Sequence, residues 1–184
     1  MAETIARWQD SSGSGIEHLV LKEEDSGVVA EAALLATIGT HTFAACYRIE
    51  CDSLWRTRRV DIRLIGEDRR IEITSDGAGN WTDAADQPLP HLSGAIDVDF
   101  SASPFTNTLP IRRLGLGIGD SAKILTVYVL FPALTLSTDP QRYTCLDPGT
   151  RYRYESLNSD FMREIEVDEK GLVVTYPGLF NRIR

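Results

Sequence analysis

The stretch Phe43-Ala44-Ala45-Cys46-Tyr47-Arg48-Ile49-Glu50, FAACYRIE, decides how the chain is read. Phe43, Ala45, Tyr47 and Ile49 alternate with Ala44, Cys46, Arg48 and Glu50. A period of two sends successive side chains to opposite faces, so this stretch is predicted to be a half-buried strand. The same period recurs outward from it. Val60, Ile62 and Leu64 alternate with Arg59, Asp61 and Arg63, and Ile71 and Ile73 with Glu72 and Thr74. Tyr152 and Tyr154 alternate with Arg151, Arg153 and Glu155. Phe161, Arg163, Ile165 and Val167 face away from Met162, Glu164, Glu166 and Asp168.

Turn signals separate these runs at short intervals: Gly66-Glu67-Asp68, Ser75-Asp76-Gly77-Ala78-Gly79-Asn80 and Asp168-Glu169-Lys170-Gly171. Short connections favour antiparallel neighbours, because a parallel pair needs a long crossover. The pattern predicts one all-β domain over residues 1–184, a curved antiparallel meander with little helix. Strand-and-turn spacing suggests about nine to eleven strands.

Two segments read less cleanly. Lys123 to Phe131, KILTVYVLF, is apolar on both faces, as for a strand covered on both sides or lining an apolar hollow. Val28 to Thr37, VVAEAALLAT, has helix-forming alanines and leucines, but Val28-Val29 and the flanking Gly27 and Gly39 favour a strand. Asp83 to Leu92, with Pro88 and Pro90, reads as a surface loop.

One run stops the strand pattern: Ser103-Pro104-Phe105-Thr106-Asn107-Thr108-Leu109-Pro110-Ile111-Arg112-Arg113-Leu114. Pro104 pushes Ser103 out of the helical region. Thr106, Asn107 and Thr108 suit a helix start, and Pro110 is tolerated only in a first turn. Leu109 to Leu114 is therefore expected to form one short helical turn ending at Gly115. Asp97-Val98-Asp99-Phe100 before it should be a strand. The corner is expected to sit as a cap or rim at a sheet edge or mouth.

The 184 residues suffice for one substantial core; 42% are apolar and 25% charged. Net charge is −8 with a pI near 4.9, which argues against nucleic acid as the main partner. No run approaches the roughly 18 apolar residues of a spanning helix, so no integral membrane segment is expected. The first residues show no basic segment followed by an apolar core, and the expected location is cytoplasmic. Cys46, Cys51 and Cys145 match no zinc spacing and are read as reduced packing thiols. His18, His41 and His91 lie far apart, so no metal site and no cofactor are expected. The glycines of Gly115-Leu116-Gly117-Ile118-Gly119 have the wrong spacing for a dinucleotide fingerprint.

The candidate site residues follow from side-chain chemistry. Asp97 and Asp99 lie two apart and share a strand face, where close like charges would raise one pKa; ion pairing with Arg112 and Arg113 is the simpler reading. Arg112-Arg113 offers planar donor forks for an anionic or sugar-bearing head group. Trp55, Trp81, Tyr128, Tyr143, Tyr152 and Tyr154 would stack on sugars, line an apolar tunnel, or simply fill the core. Thr106 and Asn107 complete the set from the proline-braced corner. No motif of nucleophilic catalysis or phosphate cradling is present, so no residue is assigned as catalytic.

Several blocks together resemble the family of bacterial proteins named putative glycolipid-binding. They are Cys51-Asp52-Ser53-Leu54-Trp55-Arg56, Asp76-Gly77-Ala78-Gly79-Asn80-Trp81 and Asp97 through Leu114, then Gln141-Arg142-Tyr143, Tyr152-Arg153-Tyr154-Glu155-Ser156, Val167-Asp168 and Gly171 through Phe180. The most specific is SPFTNTLPIRRL. The resemblance implies an antiparallel sheet curled into a partly open barrel or β-roll, similar to exported lipoprotein carriers, and carries over no catalytic residues. The reading is a non-enzymatic binder of an amphipathic ligand such as a glycolipid. Ile124, Thr126, Tyr128 and Leu130 would shelter its chain, and Asp97, Asp99, Arg112 and Arg113 its head. Two alternatives stay open: a hydrolase of a sugar or lipid ester using Asp97 or Asp99, and a protein-interaction scaffold. The sequence does not indicate the oligomeric state.

Overall fold

A computed structural model describes residues 2–183. They form one sheet of fourteen strands that is curved and not closed into a barrel. β1 (Ala2–Asp10), β2 (Ile16–Glu24), β3 (Gly27–Ile38), β4 (His41–Asp52), β5 (Thr57–Leu64), β6 (Arg70–Ser75) and β7 (Trp81–Asp83) make one antiparallel wing. β8 (Asp97–Phe100), β9 (Ser121–Leu130), β10 (Thr135–Asp147), β11 (Arg151–Ser156), β12 (Met162–Val167), β13 (Val173–Tyr176) and β14 (Phe180–Ile183) make the other. The wings join where β1 pairs with β14, Asp10 opposite Phe180.

The alternating stretches behave as their period dictates. In β4, Phe43, Ala45, Tyr47, Ile49 and Cys51 are buried, and the residues between them are not. β3 is a strand, with Val28, Ala30, Ala32 and Leu34 buried. All three cysteines are free, and Cys46 lies on the opposite face from buried Cys51. β9 shows why its sequence is apolar on both faces: Val127 and Val129 enter one core cluster, while Ile124 packs against another.

The curved, mostly antiparallel all-β sheet is as expected, and the described residues refine it in strand number and in one pairing. There are fourteen strands, more than the nine to eleven expected. The extra ones include β7, β13 and β14, which have three, four and four residues and are too short to show a period. The sheet is also not wholly antiparallel, because β8 pairs parallel with β9, Asp97 opposite Thr126 and Asp99 opposite Tyr128. The crossover that a parallel pair requires is the proline-bracketed corner itself.

That corner is a 3-10 turn, Phe105–Asn107, running into α1 (Thr108–Leu114). α1 ends at Gly115, whose left-handed φ of 55° lets its N–H close on the carbonyl of Ile111. Every residue from Ala102 to Ile111 is buried. The corner is thus a plug between the wings, where a cap or rim was expected. Leu109 packs into the first cluster and Ile111 into the second. So polar a segment can be buried because its side chains find partners. Thr108 donates to the Gly171 carbonyl at 2.9 Å, and Asn107 Nδ2 donates to the Pro104 carbonyl at 3.2 Å.

The outer ends of the two wings approach each other before β8. Gly94 N–H donates to the Gly79 carbonyl at 2.9 Å, and Trp81 Nε1 donates to the Ala95 carbonyl at 2.7 Å.

Candidate functional site

Strand register assembles the site. β9 sets Tyr128 beside Asp99 of β8 and opposite Ser137 of β10. Moving along β10 in steps of two gives Asp139, Gln141 and Tyr143 on the same face, and β11 places Ser156 and Tyr154 opposite Gln141 and Tyr143. This face forms a cleft of about 520 Å³. Asp99, Tyr128, Asp139, Tyr154, Asn158 and Tyr176 are among its lining residues. No lysine or arginine lines it among the described residues.

Two carboxylates share one donor here. Gln141 Nε2 reaches Asp99 Oδ2 at 2.7 Å and Asp139 Oδ2 at 3.0 Å. The Thr106 hydroxyl donates to Asp99 Oδ1 at 3.2 Å. Burial pushes the Asp99 carboxyl up to about 6, against the hydrogen bonds from Gln141 and Thr106. The cleft therefore offers carboxyl oxygens, tyrosine hydroxyls and aromatic faces, a set that matches polyol hydroxyls and repels anions.

A second hollow of about 220 Å³ adjoins the first, sharing Ser101, Leu179 and Phe180 in its lining. It is mostly apolar, and buried Trp8 and Leu34 and part-buried Ala36 are among its lining residues. Ile16, Leu35, Ile38 and Leu179 line it yet are exposed, so its mouth carries an apolar rim. A larger depression of about 590 Å³ lies over β2 to β6. Its lining includes charged residues, among them Arg48 and Glu31, which pair at 2.6 Å.

The structure brings only some of the sequence-predicted residues to this region. Asp99, Asn107, Tyr128 and Tyr154 line the cleft. Thr106 stands behind Asp99, and Tyr143 behind Asn107, to which its hydroxyl donates at 2.8 Å. The others lie outside the cleft lining. Asp97, on the same face as Asp99, is fully buried and gripped by Arg113. Arg112 donates to Glu23 Oε2 at 3.0 Å and to the Lys170 carbonyl at 2.9 Å, with its guanidinium 4.3 Å from the Trp55 ring centroid. Trp81 is buried with its indole N–H satisfied, and Tyr152 packs beside Cys145. Of the residues expected to shelter a chain, Tyr128 lines the cleft; Thr126 is buried, its hydroxyl donating to the Asp139 carbonyl at 3.2 Å, and Leu130 is exposed.

Sequence reasoning missed Asp139, Trp8 and Glu17. Glu17 has a visible signal: Ile16 through Leu21 alternates, and Glu17 falls on the face of Leu19 and Leu21. Burial pushes its carboxyl up to about 7, although Tyr47 and Ser103 hydrogen-bond to it.

The fold and site define a class: a curved all-β protein with a polar cleft on one wing and, beside it, an apolar hollow where the two wings meet. The chain belongs to the family described as "Putative glycolipid-binding", whose model matches residues 5–182. It is similar to a DUF1089 family protein from Pseudomonas aeruginosa of known crystal structure, with 37% identity over 92% of each chain and a TM-score of 0.80. No curated protein matches it.

Proposed function

We propose that the protein binds a neutral-headed amphiphile, with a glycolipid as the fitting class. The head occupies the cleft of Asp99, Asp139, Tyr128 and Tyr154, and the start of the chain enters the hollow over Trp8. The observation that carries this reading is the adjoining of two hollows of opposite chemistry through Ser101, Leu179 and Phe180. The cleft lies within the roughly 300–1,000 Å³ common for small-ligand sites. The hollow takes several methylenes, each worth about 0.8 kcal/mol when buried. The family description supports the same reading.

The position of the acids separates this proposal from the earlier one for the head group. Arg112 and Arg113 are engaged by Glu23 and Asp97, so the head meets carboxylates and tyrosines. A sugar suits such a lining better than a phosphate or carboxylate. Binding is favoured over hydrolysis at an Asp97/Asp99 pair because the Arg113 fork occupies Asp97.

Calorimetric titration with octyl glucoside and octyl phosphate tests the reading. The glucoside should bind and the phosphate should bind at least tenfold more weakly. Absence of binding by the glucoside, or preference for the phosphate, would overturn it.

A further inference from the structure

The face of β1 to β6 turned away from the core carries an ordered row of cations. Register lines up Arg7, His18, Ala33, Cys46, Arg63 and Arg70 across the six strands. Arg7, Arg63 and Arg70 are exposed, and among the described residues none of them pairs with a carboxylate. Other arginines of this face do: Arg48 pairs with Glu31 and Arg59 with Glu72. Arg63 and Arg70 also lie directly opposite each other. Like charges in that position destabilise a sheet, so nothing within the fold accounts for the pair. Both line the depression of about 590 Å³, together with His18 and the small Ala33 and Cys46.

The next row is apolar. Ile16 lies opposite Leu35 and Leu35 opposite Ala44, whose carbonyl accepts from the Ile65 N–H. Ile16, Leu35 and Ile65 are 41%, 54% and 54% exposed. Two residues along each strand, about 7 Å, separate this row from the cations. On their other side the cations meet a row that holds Glu31, Arg48, Asp61 and Glu72. Ile16 and Leu35 line the apolar hollow as well, so the apolar row runs into its mouth.

We infer that these two rows dock the protein on an anionic lipid bilayer. Ile16, Leu35 and Ile65 enter the interface, and Arg7, Arg63 and Arg70 meet lipid phosphates. An acidic protein partner would answer the arginines but gives no reason for the apolar row to continue into the hollow. The net charge of −8 does not prevent the contact, because charges more than about 8–10 Å away are largely screened. A single soluble phosphate gains little at such exposed cations, whereas a bilayer presents many at once. Docked in this way, the mouth of the hollow opens at the lipid surface, and an amphiphile can pass into it without crossing water. That last step rests on the amphiphile reading given above; the docking does not.

Co-sedimentation of the intact chain with vesicles of phosphatidylcholine alone, and of phosphatidylcholine mixed with phosphatidylglycerol, tests the inference. The mixed vesicles should bind at least fivefold more protein. Arg70→Glu sets opposite charges across the ladder where like charges stood. It should hold or raise the melting temperature while lowering binding to the mixed vesicles at least fivefold, so the loss is not one of folding. Ile65→Ser lies outside the lining of both the hollow and the cleft. It should lower vesicle binding at least threefold and leave octyl glucoside affinity unchanged. No binding to the mixed vesicles, or equal binding to both kinds, would overturn the inference, and so would unchanged binding in either variant. Octyl glucoside titration of the same sample decides the amphiphile reading separately.

Discussion

Arg113 grips Asp97 through two donors, Nε to Oδ1 at 2.9 Å and Nη2 to Oδ2 at 2.6 Å. The carboxylate is fully buried, and the guanidinium side chain keeps 16% of its exposure. This fork fixes the last turn of α1 to the start of β8, and so holds the plug against the strand that it leads out of. Removing one partner strands a charge. Asp97→Ala is expected to cost about 3–5 kcal/mol, whereas Asp97→Leu combined with Arg113→Met should cost much less. Urea denaturation of the two singles and the double, read as a mutant cycle, checks this.

The hollow can be filled from its own wall. Ala36 lines it and is only partly buried, so a larger side chain there can extend into the open volume without disturbing the core. Ala36→Phe is expected to weaken octyl glucoside binding at least tenfold and to leave the melting temperature within a few degrees. Unchanged affinity would place the alkyl chain elsewhere.

The head group has its own test. Tyr128→Ala removes an aromatic face from the cleft but lies outside the hollow's lining. It should weaken octyl glucoside several-fold and should change affinity for methyl decanoate less. Equal losses for both ligands would deny any division between head and tail.

Stability should depend on pH through Glu17. Its folded pKa is raised from 4.5 to about 7 by burial, so the folded state holds a proton that the unfolded state releases. Between those values stability falls as pH rises; below 4.5 the penalty is absent, and above about 7 it is fully present. The shift corresponds to about 3 kcal/mol. Asp99, raised from 3.8 to about 6, adds a slope of the same sign over a lower window. Glu17→Gln should flatten the upper part of the profile and gain stability over the unaltered protein at pH 8. Denaturation midpoints at pH 5 and pH 8 decide it; a slope unchanged by the substitution would assign the pH dependence to other groups.

Two glycines should respond unequally to alanine. At Gly115 the backbone is left-handed but nothing lies within 4 Å of an added Cβ, so Gly115→Ala should cost about 1 kcal/mol of backbone strain. At Gly79, φ is 95° and the added Cβ would lie 2.8 Å from Gly94 Cα. Gly79→Ala must push the two ends of the sheet apart and should cost roughly 2–4 kcal/mol. Equal losses in thermal denaturation would mean that the approach of Gly79 to Gly94 does not hold the ends together.

The all-β character was legible because half-buried strands such as β4, β5, β6 and β11 write their burial as a period of two. The helix stop at Gly115 was legible because few residues besides glycine adopt that backbone comfortably. The place of the Ser103 to Leu114 corner was not. Its polarity suggested a rim, but Thr106, Asn107 and Thr108 satisfy their hydrogen bonds inside the molecule, and no local pattern announces a partner more than sixty residues away such as Gly171. For the same reason the pairing of Arg113 with Asp97 could be foreseen as an option, while the meeting of Arg112 with Glu23 and Trp55 depended on β2 and a turn far from it in sequence. Asp139 escaped notice because the cleft is made by register across β8, β9 and β10, which only the pairing reveals.

Where Asp10 of β1 lies opposite Phe180 of β14, two meanders, β1 to β7 and β9 to β14, that each could zip up from local hairpins are welded by a single long-range strand pairing. Both residues also line the hollow, so an occupant there presses on the weld itself. Loading the protein should therefore do more than raise its melting point: amide exchange in β1 and β14 should slow together on addition of octyl glucoside, and the wings should unravel as one body instead of parting first along that line.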